Sequence, residues 1–228
     1  MKPRRAIERV VTPDHKHLVL WEHDGAFSID VDGKTLMSSR EHGSEEVLAR
    51  LAFEAWGGKT PPRVLIGGLG MGYTLRAVLD ALPPRNGCVV EVVEVFPSVV
   101  SWNRGPLAEL ARRPLSDRRV RVIEADVANH LDGSREHDVV LLDVDNGPEE
   151  FTLLGNHELY TARGIEGIHR SLVPGGVLAV WSSFDDTAFT TRLRRAGFAV
   201  TTHSVRARPG TKGKGKGGKH TIFVAKRR

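Results

Sequence analysis

The chain has 228 residues, 40% apolar and 27% charged, a composition that supports a buried core and excludes a disordered chain. The single cysteine, Cys88, excludes an internal disulfide framework, and no run of about 18 apolar residues is present to cross a membrane. The formal net charge of +5 is local: nine of the 33 Lys/Arg fall between Arg206 and Arg228 with no Asp or Glu, leaving 24 basic and 28 acidic residues, a body of −4. The N-terminal MKPRRAIERVV lacks the apolar stretch of a signal peptide, and a soluble cytoplasmic protein is expected.

In chain order, Asp24-Gly25 and Asp32-Gly33 are hairpin turns between short apolar runs at Leu18 to Trp21, Ala26 to Val31 and Thr35 to Met37. They predict three short antiparallel strands. The next stretch, SEEVLARLAFEAW, predicts a helix capped by Ser44. Glu45 and Glu46 lie where the helix dipole favours acid, and Val47, Leu48, Leu51 and Ala55 line one face. The segment from Gly57 to Pro62 breaks the chain. We therefore expect a small β-strand domain with its connecting helix over residues 1–56, and a second domain over 57–228.

From Arg63 the pattern becomes strand–helix alternation. VLIG precedes TLRAVLDAL, CVVEVVEVF precedes PSVVSWNRGPLAELA, and RVRVIEAD precedes VANHL. DVVLLDVD leads into a longer connection. GIEGIHRSL then precedes VLAVWSS, and DTAFTTRLRRAG precedes a final antiparallel pair joined by a Lys/Gly-rich loop at 207–219. Strands of Val, Ile and Leu without alternation are buried on both faces, which predicts an α/β fold with a parallel sheet covered by helices.

Within VLIGGLGMGYTLR, Gly68, Gly70 and Gly72 occupy a strand-to-helix turn, where glycine lets the chain turn tightly and a ligand approach closely. Glu94 ends the next strand, placed to accept hydrogen bonds from ribose hydroxyls, and Asp126 ends the third, placed to accept one from an adenine amine. The spacing departs from the dinucleotide G-x-G-x-x-G and fits an adenosyl-sulfonium better than a nicotinamide. Gly68, Leu69, Gly70, Met71, Gly72, Glu94, Val95, Asp126, Val127 and Asp143 are the expected cofactor contacts.

These motifs, with HDVVLLDVDNGP and LYTARGIEGIHRSLVPGGVLAVW, resemble the spermidine synthase-like group of class I S-adenosylmethionine-fold transferases over roughly residues 15–205. The resemblance implies a small N-terminal β-domain, then a seven-stranded Rossmann-like domain with a reversed last strand, assembled as dimers or tetramers. It also implies an aspartate in the glycine turn, where this chain has Met71, and a D-x-x-D-P segment, where this chain has DVDNGP. The group's Tyr-His-Glu falls near Ser44 to Glu46, without its Tyr or His.

A thioether cannot pair with an ammonium group, so the sequence favours methyl transfer from S-adenosylmethionine to a small polar, amine-containing acceptor. S-adenosylhomocysteine would be the product. The alternative is aminopropyl transfer from decarboxylated S-adenosylmethionine, leaving methylthioadenosine. Asp143, Asp145 and Asn146 are the catalytic candidates, because their oxygens can accept from an acceptor N–H.

Trp181 ends a strand at the edge where open α/β sheets bind ligands. Trp102 and Arg104 are expected in helix packing and in solvent respectively. The ten histidines show no metal-ligand spacing, and no metal is expected. Lys212, Lys214, Lys216 and Lys219 sit among glycines without an aromatic residue for base stacking, so no specific nucleic-acid binding is expected. A homodimer is expected, since β-domain edge strands need protection.

Overall fold

The computed structural model describes residues 3–13, 15–58, 60–82, 87–131, 137–144, 156–207 and 218–228. Four strands form an antiparallel meander: β1 (Arg5–Val11), β2 (His17–His23), β3 (Ala26–Val31) and β4 (Lys34–Ser38), in the order β1-β2-β3-β4. The two Asp-Gly pairs take the left-handed region at both residues, with φ of 50° and 72° at Asp24-Gly25 and 47° and 81° at Asp32-Gly33. That backbone matches the twist of the strands it joins. Strand β1 was not expected, because RAIERVV mixes charge into its apolar positions. It pairs with β2, and Trp102 Nε1 donates to its Glu8 Oε2 at 2.6 Å.

Helix α1 (Gly43–Trp56) follows and ends at Gly57, which is left-handed at φ 62° and returns its N–H to Phe53 O. Its N-cap is His42, with no side-chain cap bond. The expected cap, Ser44, lies one residue inside the helix and uses its hydroxyl elsewhere. Leu48, Ala49 and Ala52 are buried. The expected division at residues 56/57 falls at this helix end. The helix itself packs on helix α2 (Tyr73–Ala81) and on strands of the larger sheet.

That sheet has seven strands: β5 (Arg63–Gly67), β6 (Val89–Glu94), β7 (Val120–Glu124), β8 (His137–Leu142), β9 (Leu172–Ser182), β10 (Phe198–Arg206) and β11 (Lys219–Arg227). Their order is β10-β11-β9-β8-β5-β6-β7, and β11 alone runs antiparallel to both its neighbours. The remaining helices are α3 (Pro97–Arg104), α4 (Val127–His130), α5 (Asn156–Leu159), α6 (Ala162–Ser171) and α7 (Thr187–Arg195). Alternate residues of β5 enter different cores, Val64 and Ile66 on one face and Leu65 on the other. This is the expected doubly covered α/β sheet with a reversed last strand.

Helix α3 is shorter than the helical run read from sequence, stopping before Gly105-Pro106. Trp102 is buried in the core and Arg104 is exposed, both as expected. Chain order reverses between β5 and β8, so their carboxyl ends form the switch-point crevice where open α/β sheets bind ligands. Gly68 N–H donates to Val93 O at 2.8 Å and Asp143 N–H to Gly67 O at 2.9 Å, tying the three strand ends together.

Candidate active site

Two adjoining cavities open at this crevice, sharing Leu36, Met37, Gly70 and Asp143. The first is mainly apolar. Val93, Val95, Phe96 and Val127 border it from the large sheet and Ile29 from the small one, with Glu94, Asp126 and Asp143 as its acids. Val95 is 49% exposed, an apolar surface that a flat ring would cover.

Glu94 is buried, and both its oxygens are engaged. Oε2 accepts from Leu69 N–H at 2.9 Å and Oε1 from Phe96 N–H at 3.0 Å. Burial pushes the carboxyl up, while backbone donors at Leu69, Phe96, Gly70 and Val95 pull it down. Glu94 therefore holds the glycine turn as well as facing the cavity, a task its strand-end position did not announce. Asp126 also has a local task. It is the N-cap of α4, and its Oδ1 accepts from Ala128 N–H at 2.8 Å.

The glycines of the turn all take positive φ: 87° at Gly68, 52° at Gly70 and 82° at Gly72. A Cβ would meet the Asp143 carbonyl oxygen at 2.4 Å from Gly68 and Asn103 Oδ1 at 2.9 Å from Gly72. These two glycines are thus demanded by backbone conformation and by the protein's own neighbours, rather than by a ligand's approach. Gly70 faces Met37, whose sulfur would stand 3.1 Å from its Cβ.

The second cavity is polar. Glu41, Glu45 and Asp143 bring three carboxyl groups to it, with Tyr73, Thr74, Met71, Trp181 and His220. Asp143 is held by the Thr74 hydroxyl, which donates to Oδ2. Its burial pushes the carboxyl up, against that bond. Glu45 is pushed up to about 8, first by burial and then by the charge of Asp143, while Ser44 pulls the other way. Burial raises both groups and the charge of Asp143 raises Glu45 further, so the two do not both ionise at neutral pH, which separates their roles. Tyr73 stacks on His42 at 4.3 Å and 16°, donates to Ser39 O at 3.3 Å, and is pushed up to about 12 by burial and by Glu45 and Glu46.

Of the sequence-predicted site residues, Gly68, Gly70, Glu94, Val95, Asp126, Val127 and Asp143 border the first cavity, Leu69, Met71 and again Asp143 the second, and Gly72 opens α2 as its N-cap. Asp145 and Asn146 lie outside the described residues, as do Lys212, Lys214 and Lys216. Trp181 borders the second cavity, as expected. Sequence reasoning missed Glu41, Thr74 and His220, and assigned Glu45 only to a helix dipole. The alignment of the group's Tyr-His-Glu onto Ser44 to Glu46 was the signal that could have found Glu45.

No protein-family model matches the chain. Polyamine aminopropyltransferase 2 of Pseudomonas aeruginosa is 34% identical over 158 residues, 64% of this chain and 42% of that protein. The chain thus spans less than half the length of that curated relative. The spermidine synthase of Thermotoga maritima superposes with a TM-score of 0.74 at 21% identity, over 98% of this chain and 73% of that one. A spermidine synthase in complex with the transition state analogue AdoDATO gives 0.73 at 21% identity, over the same shares. The fold is that of the spermidine synthases on which the chain superposes, as the resemblance in the sequence implied. Over part of its length the chain is also similar in sequence to a polyamine aminopropyltransferase.

Proposed function

We propose that the chain is a transferase of the spermidine synthase type, moving an aminopropyl group from decarboxylated S-adenosylmethionine to a small amine. The observation that carries this reading is the acid-lined cavity beside the apolar one. Methyl transfer was the sequence's first expectation because Met71 stands where the group has an aspartate. Glu41, Glu45 and Asp143 bring three carboxyl groups to the same cavity that Met71 borders, so a cationic substrate has acidic partners there without the lost aspartate. The similarity to a polyamine aminopropyltransferase supports the same choice.

Val95, Val127 and Phe96 would enclose the adenine, with Asp126 at its amine and Glu94 at the ribose. Glu94 engages its oxygens with backbone N–H groups, yet a carboxylate has about four acceptor positions, which leaves room for hydroxyls. Bound there, the donor supplies a carbon activated by its positive sulfur. The chain's task is to place an amine against that carbon and to remove a proton from it. Asp143, which borders both cavities, is placed to hold that amine.

Incubation with decarboxylated S-adenosylmethionine or S-adenosylmethionine and a pool of diamines and amino acids tests the reading. Mass gain of one aminopropyl group on a diamine is expected; gain of a methyl group alone would replace it with methyl transfer. We further propose a homodimer that covers the edge strand β1. Light scattering at tens of micromolar would detect a monomer if that is wrong.

A further inference from the structure

Ser44 and His220 are 176 residues apart in the chain and meet beside the acid-lined cavity. Ser44 Oγ donates to Glu45 Oε2 at 2.7 Å, and His220 Nδ1 lies 3.0 Å from the same Oγ. The serine is buried. The half-buried imidazole stands edge-on to Trp181, with centroids 4.5 Å apart and planes at 64°. Glu45, His220 and Asp143 all border one cavity. A hydroxyl between a carboxylate and an imidazole nitrogen both donates and accepts, and can pass a proton between them.

We infer that Glu45, Ser44 and His220 form the exit route for the proton that an acceptor ammonium must lose, with His220 as the positioning residue behind Glu45. The inference rests on the aminopropyl-transfer reading above. An ammonium nitrogen has no free lone pair, so its proton passes first to the Glu45 carboxylate. The freed pair forms the new N–C bond, and the C–S bond breaks with its electrons going to sulfur, which becomes a neutral thioether. The nitrogen ends as a substituted ammonium, so each turnover leaves one proton on Glu45. That proton moves to Ser44 Oγ as the serine's own hydrogen passes to His220 Nδ1. The imidazolium then loses its Nε2 hydrogen to water, and exchange of the ring hydrogen with water returns Nδ1 to its acceptor form before the next turnover.

The surroundings suit this direction. Glu45 is faced by Asp143 across the cavity, by Glu46 on its own helix, by Tyr73 on α2 and by His220 on β11. Burial holds the His220 imidazole below its usual value, against the charge of Glu41, so it is neutral and ready to accept. Glu45, held at about 8, can take a proton from an amine and surrender it.

Transfer rates from about pH 6 to about pH 9.5 for the full chain and for His220→Gln, His220→Ala and Ser44→Ala test the route. In His220→Gln and Ser44→Ala, kcat is expected to fall about 10–100-fold, with the acceptor KM within about threefold. Free imidazole should restore His220→Ala in proportion to its neutral fraction. Pyrazole, of the same shape but not titrating in this range, should not. Should His220→Ala lose its near-ultraviolet circular dichroism, His220→Asn, which keeps a donor but cannot be protonated, carries the same comparison. An active wild type whose variants keep its pH profile, or equal rescue by pyrazole, overturns the route alone. A wild type that transfers nothing overturns the function reading, and the route falls with it.

Discussion

The two cavities share a wall but differ in how the chain builds them. The apolar one is made mainly by successive strand ends of one βαβ series: the turn after β5, then Glu94 to Phe96 at the end of β6, then Asp126 and Val127 after β7. Ile29, Leu36 and Met37 of the small sheet and Asp143 after β8 close it. The acid-lined one draws on the loop after β4, the start of α1, the start of α2, the end of β8, the end of β9 and the start of β11. The first is a local pattern repeated three times, one strand end after another. The second is a meeting of distant segments, and it is where this chain departs from the group it resembles.

Asp143 belongs to both cavities, so its substitution is expected to have the largest effect. Asp143→Asn keeps the shape and a partner for Thr74 but removes the charge, and kcat should fall about 10²–10⁴-fold. Mass-spectrometric product formation measures this. An Asn variant within about tenfold of wild type would leave the acid-lined cavity without its proposed centre.

Glu94→Gln should act on the apolar cavity alone. Losing the charge and one acceptor should weaken binding of the adenosyl donor by about 1.5–3 kcal/mol, read by calorimetry. The melting temperature should drop as well, because the carboxylate also holds Leu69 and Phe96. Unchanged affinity would show that Glu94 serves the turn and not the ligand.

What was legible in the sequence follows the same division. Gly68 to Gly72, Glu94 and Asp126 could be read because strand ends recur at regular spacing and each needs a particular residue type. The hydrogen-bonded pairing of Ser44 with His220 has no local pattern, since a serine at a helix start has the same signature whether it caps or not. A cap at Ser44 places the first helical residue at Glu45, two residues later than the structure does. The helix begins at Gly43, and that places the hydroxyl against Glu45 instead of a backbone N–H. Strand β1 was missed for a related reason: Arg5, Glu8 and Arg9 interrupt its apolar alternation, while Glu8 has its partner in Trp102, far along the chain.

Glu45 gives the acid-lined cavity a pH signature. Its carboxyl rises from an ordinary 4.5 to about 8 on folding, so the folded state binds the proton more tightly than the unfolded one. Its contribution is fully present below about pH 4.5 and is lost as pH rises through about 8. Asp143 shifts in the same direction. Glu45→Gln should therefore be more stable than wild type at alkaline pH, by about 1–3 kcal/mol, with the advantage shrinking toward acid pH. Urea titrations at several pH values would show this, and a constant difference would mean that Glu45 ionises freely.

The smallest expected effect separates the two readings of Ser44. Loss of an N-cap costs about 0.5–2 kcal/mol, and since it removes a bond that a neutral hydroxyl oxygen accepts from a backbone N–H, the cost is the same at every pH. In the structure Ser44 instead donates to Glu45, and that bond pulls the carboxyl down against burial and the charge of Asp143. Removing it leaves Glu45 higher still. The destabilisation of Ser44→Ala should then be least near pH 5, where the Glu45 carboxyl is protonated in the folded state. It should grow as pH rises through about 8, where the carboxylate that has lost its donor must ionise. In a Glu45→Gln background the same substitution should lose its pH dependence, because no carboxylate remains to be stabilised. Denaturant midpoints for the two single variants and the double variant, taken near pH 5 and near pH 9, read the coupling directly. A flat cost in both backgrounds would return Ser44 to the role of a cap and cut the link between His220 and Glu45.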